Sequence, residues 1–184
     1  MMRKVELEVK EILNRLSSEM FFILLLKEKD GNRSIPILVG LLEAQAIAIK
    51  LRDLKVPRPT IYDLFLNTSK MFDAFLKEVL IYKIEGGLFY SYLTFDKDGG
   101  EIQVDSRTSD AVALAMRAGV PIHIHEDLLE KHASRDEGGG AYSMPITTAS
   151  LEILREALSK SIEAENYELA AQIRDEIKKR INEI

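Results

Sequence analysis

Apolar and charged positions alternate from the start of the chain, with Val5, Leu7 and Val9 separated by Glu6, Glu8 and Lys10. That period-two pattern predicts a half-buried strand. Met20 to Leu26 is an unbroken apolar run and reads as a buried strand. Lys29-Asp30-Gly31-Asn32 supplies a hairpin turn, because Gly and Asn accept positive φ, and Ser34 to Val39 is the return strand. After Gly40 the period becomes helical, marked by Leu42, Ala46, Ile49 and Asp53. Pro57-Arg58-Pro59 stops that helix, and Thr60 is placed to cap another running from Ile61 to about Leu76. Leu88 to Phe95 then alternates again, Asp96 to Gly100 forms a second turn, and Glu101 to Asp105 returns. A helix capped by Ser109 or Thr108 follows, ending at Gly119-Val120-Pro121.

The second series repeats the first. Asp30-Gly31 falls on Asp98-Gly99 at a shift of 68, and Glu43 to Lys50 falls on Asp110 to Arg117 at a shift of 67. Acid meets acid, base meets base, and three alanines coincide. The pattern predicts an internal duplication of a strand–turn–strand–helix unit, and hence a pseudo-twofold α+β body with a mixed sheet. Composition shifts near residue 140, where Asp136-Glu137-Gly138-Gly139-Gly140 is polar and glycine-rich, and no Gly or Pro follows Thr147. The expected organisation is a body over 1–135, a flexible linker over 136–146 and a helical hairpin over 147–184. In the hairpin, Leu151, Leu154, Leu158 and Ile162 form one stripe. Tyr167, Ala170, Ala171, Ile173, Arg174, Ile177 and Ile181 form the second. Two short helices cannot cover both stripes alone, and the small Ala170-Ala171 step invites another helix pair; folding back on the body is the alternative.

Composition narrows the classes of function. Apolar residues make up 46% of the 184 positions and charged residues 30%, a balance that supports a buried core. Met20 to Leu26 is too short to span a bilayer, and the first residues carry no secretory apolar segment. A soluble, cytoplasmic protein with no membrane partner is the expectation. With no Cys, thiolate metal sites and thiol nucleophiles are excluded. A net charge of −5 argues against a broad electrostatic footprint for nucleic acid but leaves room for a local basic cleft.

The densest polar stretch is Asp105-Ser106-Arg107-Thr108-Ser109-Asp110, where a strand hands over to a helix start that favours anions. Asp105 and Asp110 are spaced to share a divalent cation, and Arg107 to hold a phosphate. Equally, Asp110 in a first turn stabilises its helix by about 0.3–1 kcal/mol without any ligand. Glu43 is the duplicate's counterpart of Asp110; it adds a third carboxylate if the two helix starts meet, and otherwise only complements its own helix dipole. Arg58, between two prolines, is a rigid phosphate-binding candidate beside Asp63, although Thr60 with Asp63 also makes a capping box. His123-Ile124-His125 puts two imidazoles on one side of a short strand, read as a polar pair on an edge strand rather than a metal site.

Two resemblances rest on these residues. Ile35 to Gly40 with Glu43-Ala44, Arg58-Pro59-Thr60 with Asp63-Leu64, and Val104 to Arg107 with Ser109 to Ala115 make the body resemble the bifunctional nuclease family. This chain departs from it in having Tyr62 where the family usually has His, and Thr108 where it usually has Pro. The tail, through Leu158, Ile162, Tyr167, Ala170, Ala171, Arg174, Asp175 and Ile177, resembles the UVR motif, the helical hairpin through which UvrB and UvrC associate. The resemblance implies a nuclease acting on DNA or RNA. Asp105, Asp110 and Glu43 would then hold Mg²⁺ or Mn²⁺, with Asp63, Arg58 and Arg107 serving catalysis. It also implies association through the hairpin, as a homodimer or with a UVR-bearing protein. The second reading is a non-catalytic adaptor that works through oligomerisation.

Overall fold

The computed structural model describes residues 2–13, 21–135, 151–163 and 165–182. The expected linker over 136–146 and the first residues of the tail lie outside the described residues. The body is built on β1 (Lys4–Leu13), β2 (Phe21–Glu28), β3 (Arg33–Gly40), α1 (Leu41–Leu51), α2 (Ile61–Met71), β4 (Ala74–Glu85), β5 (Leu88–Lys97), β6 (Gly100–Arg107), α3 (Thr108–Ala118), β7 (Ile122–His125), α4 (Glu126–His132) and β8 (Ser134–Arg135). The hairpin is α5 (Leu151–Glu163) and α6 (Tyr167–Asn182).

One eight-stranded mixed sheet runs in the order β6-β5-β4-β7-β1-β2-β3-β8. The repeat is larger than the pattern suggested. Each half is a three-stranded antiparallel meander followed by a helix, β1-β2-β3-α1 and β4-β5-β6-α3. The halves meet through β7, which pairs antiparallel with β1 and parallel with β4. So His123 and His125 lie on an interior strand, not on an edge. Ile124 between them is fully buried.

Three expectations change with the tertiary structure. Helix α2 stops at Met71, not near Leu76, because Asp73 takes a positive φ of 55° and the chain turns straight into β4. In α1 the buried face is Ala44, Ala46 and Ile47, whereas Leu42 is 74% exposed. Of the expected stripe, Ala46 is buried as expected, while Leu42 and Ile49 line a cleft beside it. Finally, Arg107 is the N-cap of α3; Thr108 is buried inside the first turn, its hydroxyl 2.6 Å from that of Ser91. Helices α1 and α3 pack against each other and against the sheet. Their alanines, Ala44 on α1 and Ala111 and Ala115 on α3, are all buried, which lets α1 and α3 approach closely. In the hairpin, Leu154, Ile173 and Ile177 form a small core of their own.

Candidate functional site

The duplication brings the starts of α1 and α3 together over the sheet. Glu43 and Asp110, the paired first-turn acids, converge on one guanidinium: Arg107 Nη2 donates to Glu43 Oε1 at 2.8 Å and Arg107 Nε to Asp110 Oδ2 at 2.8 Å. The Glu43 carboxylate folds back over its helix start into space that Gly40 leaves open, since a Cβ there would stand 2.7 Å from Oε2. Tyr62, from the start of α2, donates its hydroxyl to Asp110 Oδ1 at 2.9 Å. Burial and that hydrogen bond push the Tyr62 phenol well above the ordinary tyrosine range, so it stays a donor. The Asp110 and Glu43 carboxylates in turn make the Arg107 proton harder to remove.

Beneath this cluster lies Arg117, its side chain only 6% exposed. It donates to the carbonyls of Ala46 (3.0 Å) and Ala113 (3.1 Å), pairs with Asp63 at 3.3 Å, and sits 5.0 Å from the centre of the Tyr62 ring. One buried cation therefore ties α1, α2 and α3 and sets the ring that reaches Asp110. Asp63 belongs to this scaffold: its Oδ2 accepts from both the amide and the hydroxyl of Thr60. Burial pushes its carboxyl up, but the Thr60 hydrogen bonds and Arg117 outweigh that and hold it below the usual range.

The cluster lines a cleft of about 650 Å³ whose walls also include Leu42, Ile61, Phe65, Leu93 and Val104. That volume lies within the range of ligand sites. Phe65 packs against the buried Phe95, ring centres 6.2 Å apart and tilted by 59°.

Asp105 is among the residues lining the cleft, but its carboxylate does not join the Arg107 cluster. It pairs with Tyr92 across β5–β6, one residue out of phase with the Leu93–Val104 pair that faces the cleft. Side chains alternate along a strand, and its carboxylate accepts instead from Tyr82, at 3.0 Å, beside the stacked rings of Tyr82 and Tyr92. Arg58 is exposed on its loop and is not among the residues lining the cleft. The divalent cation expected at Asp105, Asp110 and Glu43 finds no matching donor set: two carboxylates are bridged by a guanidinium and the third points elsewhere. Among the described residues, no three His, Asp or Glu side chains are grouped to hold a metal ion. Tyr62 and Arg117 were not legible as site residues; their sequence signals were the tyrosine's departure from the family pattern and the pairing of Arg117 with Lys50 in the duplication.

The fold and its cluster define an internally duplicated α+β domain followed by a helical hairpin. The chain belongs to the bifunctional nuclease domain family, whose model matches residues 24–137, and residues 148–179 match the UvrB/uvrC motif. It is 42% identical over 107 residues to an uncharacterised protein of Mycobacterium tuberculosis (strain ATCC 25618 / H37Rv), covering 58% of this chain and 63% of that one. It is also 31% identical over 106 residues to Bifunctional nuclease 1 of Oryza sativa subsp. japonica, covering 55% of this chain and 32% of the rice protein. The chain thus spans less than two thirds of either relative. No helix among the described residues is long and apolar enough to cross a membrane.

Proposed function

We propose that this chain hydrolyses phosphodiester bonds of DNA or RNA at the cleft between α1, α2 and α3. The observation that carries the reading is the convergence of Glu43 and Asp110 on Arg107 in the lining of a ligand-sized cleft, in a member of a nuclease family. The two carboxylates take different roles. Both oxygens of Asp110 are engaged, one by Tyr62 and one by Arg107, so it positions the guanidinium. Glu43 uses only Oε1 on Arg107, which leaves Oε2 to accept a proton from water. The water oxygen bonds to phosphorus and one phosphorus–oxygen ester bond breaks. Glu43 takes the water proton, and the departing oxygen takes one from solvent. Arg107, 70% exposed at its side chain, offsets the charge on the phosphoryl oxygens.

The test is cleavage of labelled single-stranded and duplex substrates by purified protein, with Mg²⁺, with Mn²⁺ and with chelator. Losing a general base costs typically about 10²–10⁴-fold in rate. Glu43→Gln is expected to lose activity on that scale, and Asp105→Asn to stay within a few-fold of the parent. Equal cleavage by Glu43→Gln and the parent would place the chemistry elsewhere.

Association through the hairpin is the second part of the proposal, and by itself it is the adaptor reading. Its support is that Ile162, Tyr167 and Ile181 stay at least half exposed after α5 and α6 have packed together. A second hairpin, from another copy or from a UVR-bearing protein, would cover them.

A further inference from the structure

We infer that the apolar arm of the cleft holds one unstacked nucleobase of a single strand, with the ring lying against Phe65. The inference rests on the hydrolytic reading for the neighbouring phosphate, and it goes beyond that reading by naming what binds and where the binding energy arises.

Charge decides between two ways of gripping a nucleic acid. Binding through the backbone needs several Lys or Arg side chains on phosphates, and the affinity then collapses as salt rises. This cleft is lined by Arg107 against Glu43, Asp105 and Asp110, a formal sum of −2, in a chain of net charge −5. Phosphate attraction cannot be the main source of affinity. The walls supply another source. Leu42, Ile61, Phe65, Leu93 and Val104 present apolar surface next to the polar cluster, and Phe65 is 43% exposed yet packed against the buried Phe95 ring. An exposed aromatic ring held in place is a stacking platform, and every base has a face to offer it, so such a site tolerates any sequence. A base inside a duplex is already stacked on both sides and must be extruded to enter, at the expense of its stacking and pairing. The cleft therefore selects single strands. Its polar cluster lies where a phosphate adjoining the stacked base meets Arg107 and Glu43.

The experiment uses the full chain and a labelled oligonucleotide with phosphorothioate linkages, which resist hydrolysis, offered as a single strand and as the matching duplex. Fluorescence anisotropy is expected to show the single strand binding at least about tenfold tighter. Raising salt from 50 to 200 mM should weaken it by less than about tenfold, against about 10³–10⁵ for a protein gripping 6–10 phosphates. Phe65→Ala should weaken single-strand binding by about tenfold or more, and Phe65→Tyr should restore it, since stacking contributes about 1–3 kcal/mol per base. Duplex binding as tight as single-strand binding, a steep salt slope, or unchanged affinity in Phe65→Ala each overturns the inference. So does sedimentation showing a dimer of the parent that Phe65→Ala dissociates, because a second copy then fills the cleft. Stacking without cleavage of the ordinary phosphodiester substrate would leave this inference standing and remove the hydrolytic one.

Discussion

Arg107 occupies the point between Glu43 and Asp110 that a shared cation would need. A guanidinium at 2.8 Å from each carboxylate neutralises part of their mutual repulsion and offers hydrogen bonds of fixed direction. A divalent ion at the same point would have to displace it. The parent protein is accordingly expected to show no rise in melting temperature with Mg²⁺ or Mn²⁺, since only binding to the folded state raises apparent stability. Arg107→Ala leaves the two carboxylates without their cation, and its melting temperature should rise with Mn²⁺. A clear Mn²⁺-dependent rise in the parent would mean that the carboxylates rearrange to bind metal, and the guanidinium-bridged cluster would not be the working site. Tyr62 shows the same logic of position. Its hydroxyl reaches Asp110 because Arg117 lies under its ring, and neither contact has a signature in local sequence.

Among the elements, β7 has the largest consequence for its size. Four residues long, it joins both halves of the sheet, and Ile124 at its middle is fully buried. Removing most of a buried Ile side chain costs about 2–5 kcal/mol through lost transfer energy and the cavity left behind. Ile124→Ala is expected to lose that much stability in urea denaturation, with the loss reported alike by probes in β2 and β5. A probe that kept its parent midpoint would show that the two halves unfold separately. Strand β4 carries the complementary lesson. It is the longest strand among the described residues, yet no period-two pattern announced it, because register shifts between Leu76 and Glu78 and between Ile81 and Lys83 break the alternation twice. Its Val79-Leu80-Ile81 run is buried throughout, which a pattern based on one wet face does not describe.

For the molecule as a whole, the hairpin has its own small core and an apolar remainder. Ala170 is already 7% exposed, so the small step at 170–171 is at least partly used within the chain. Charge at Ala170 would therefore disturb the hairpin itself. Ile162 and Ile181, 52% and 50% exposed, are the better probes of association. The double variant Ile162→Glu, Ile181→Glu is expected to keep its helical circular dichroism and to sediment as a monomer while the parent self-associates. A parent that is monomeric and captures no isolated UVR-type hairpin would end the pairing proposal.

Local sequence determined the positions of the two turns, the starts of α1 and α2, the duplication and the helical tail. Each rests on local features: positive φ at Asp98 and Gly99 in the second turn, though not at Gly31 in the first, the Thr60–Asp63 capping box at α2, and the spacing of apolar positions. The resemblance, too, was legible in short motifs. Only tertiary structure decided which side chains meet. Asp105 and Asp110 are five positions apart, yet strand alternation sends one to Tyr82 and the helix start turns the other toward Tyr62. Glu43 and Arg107 are 64 positions apart and touch because the pseudo-twofold lays α1 beside α3. The cleft exists because the face of α1 that looked like core was left uncovered there. A hydrophobic pattern says that a face is apolar, and only the packing of the other elements says whether it is buried or open.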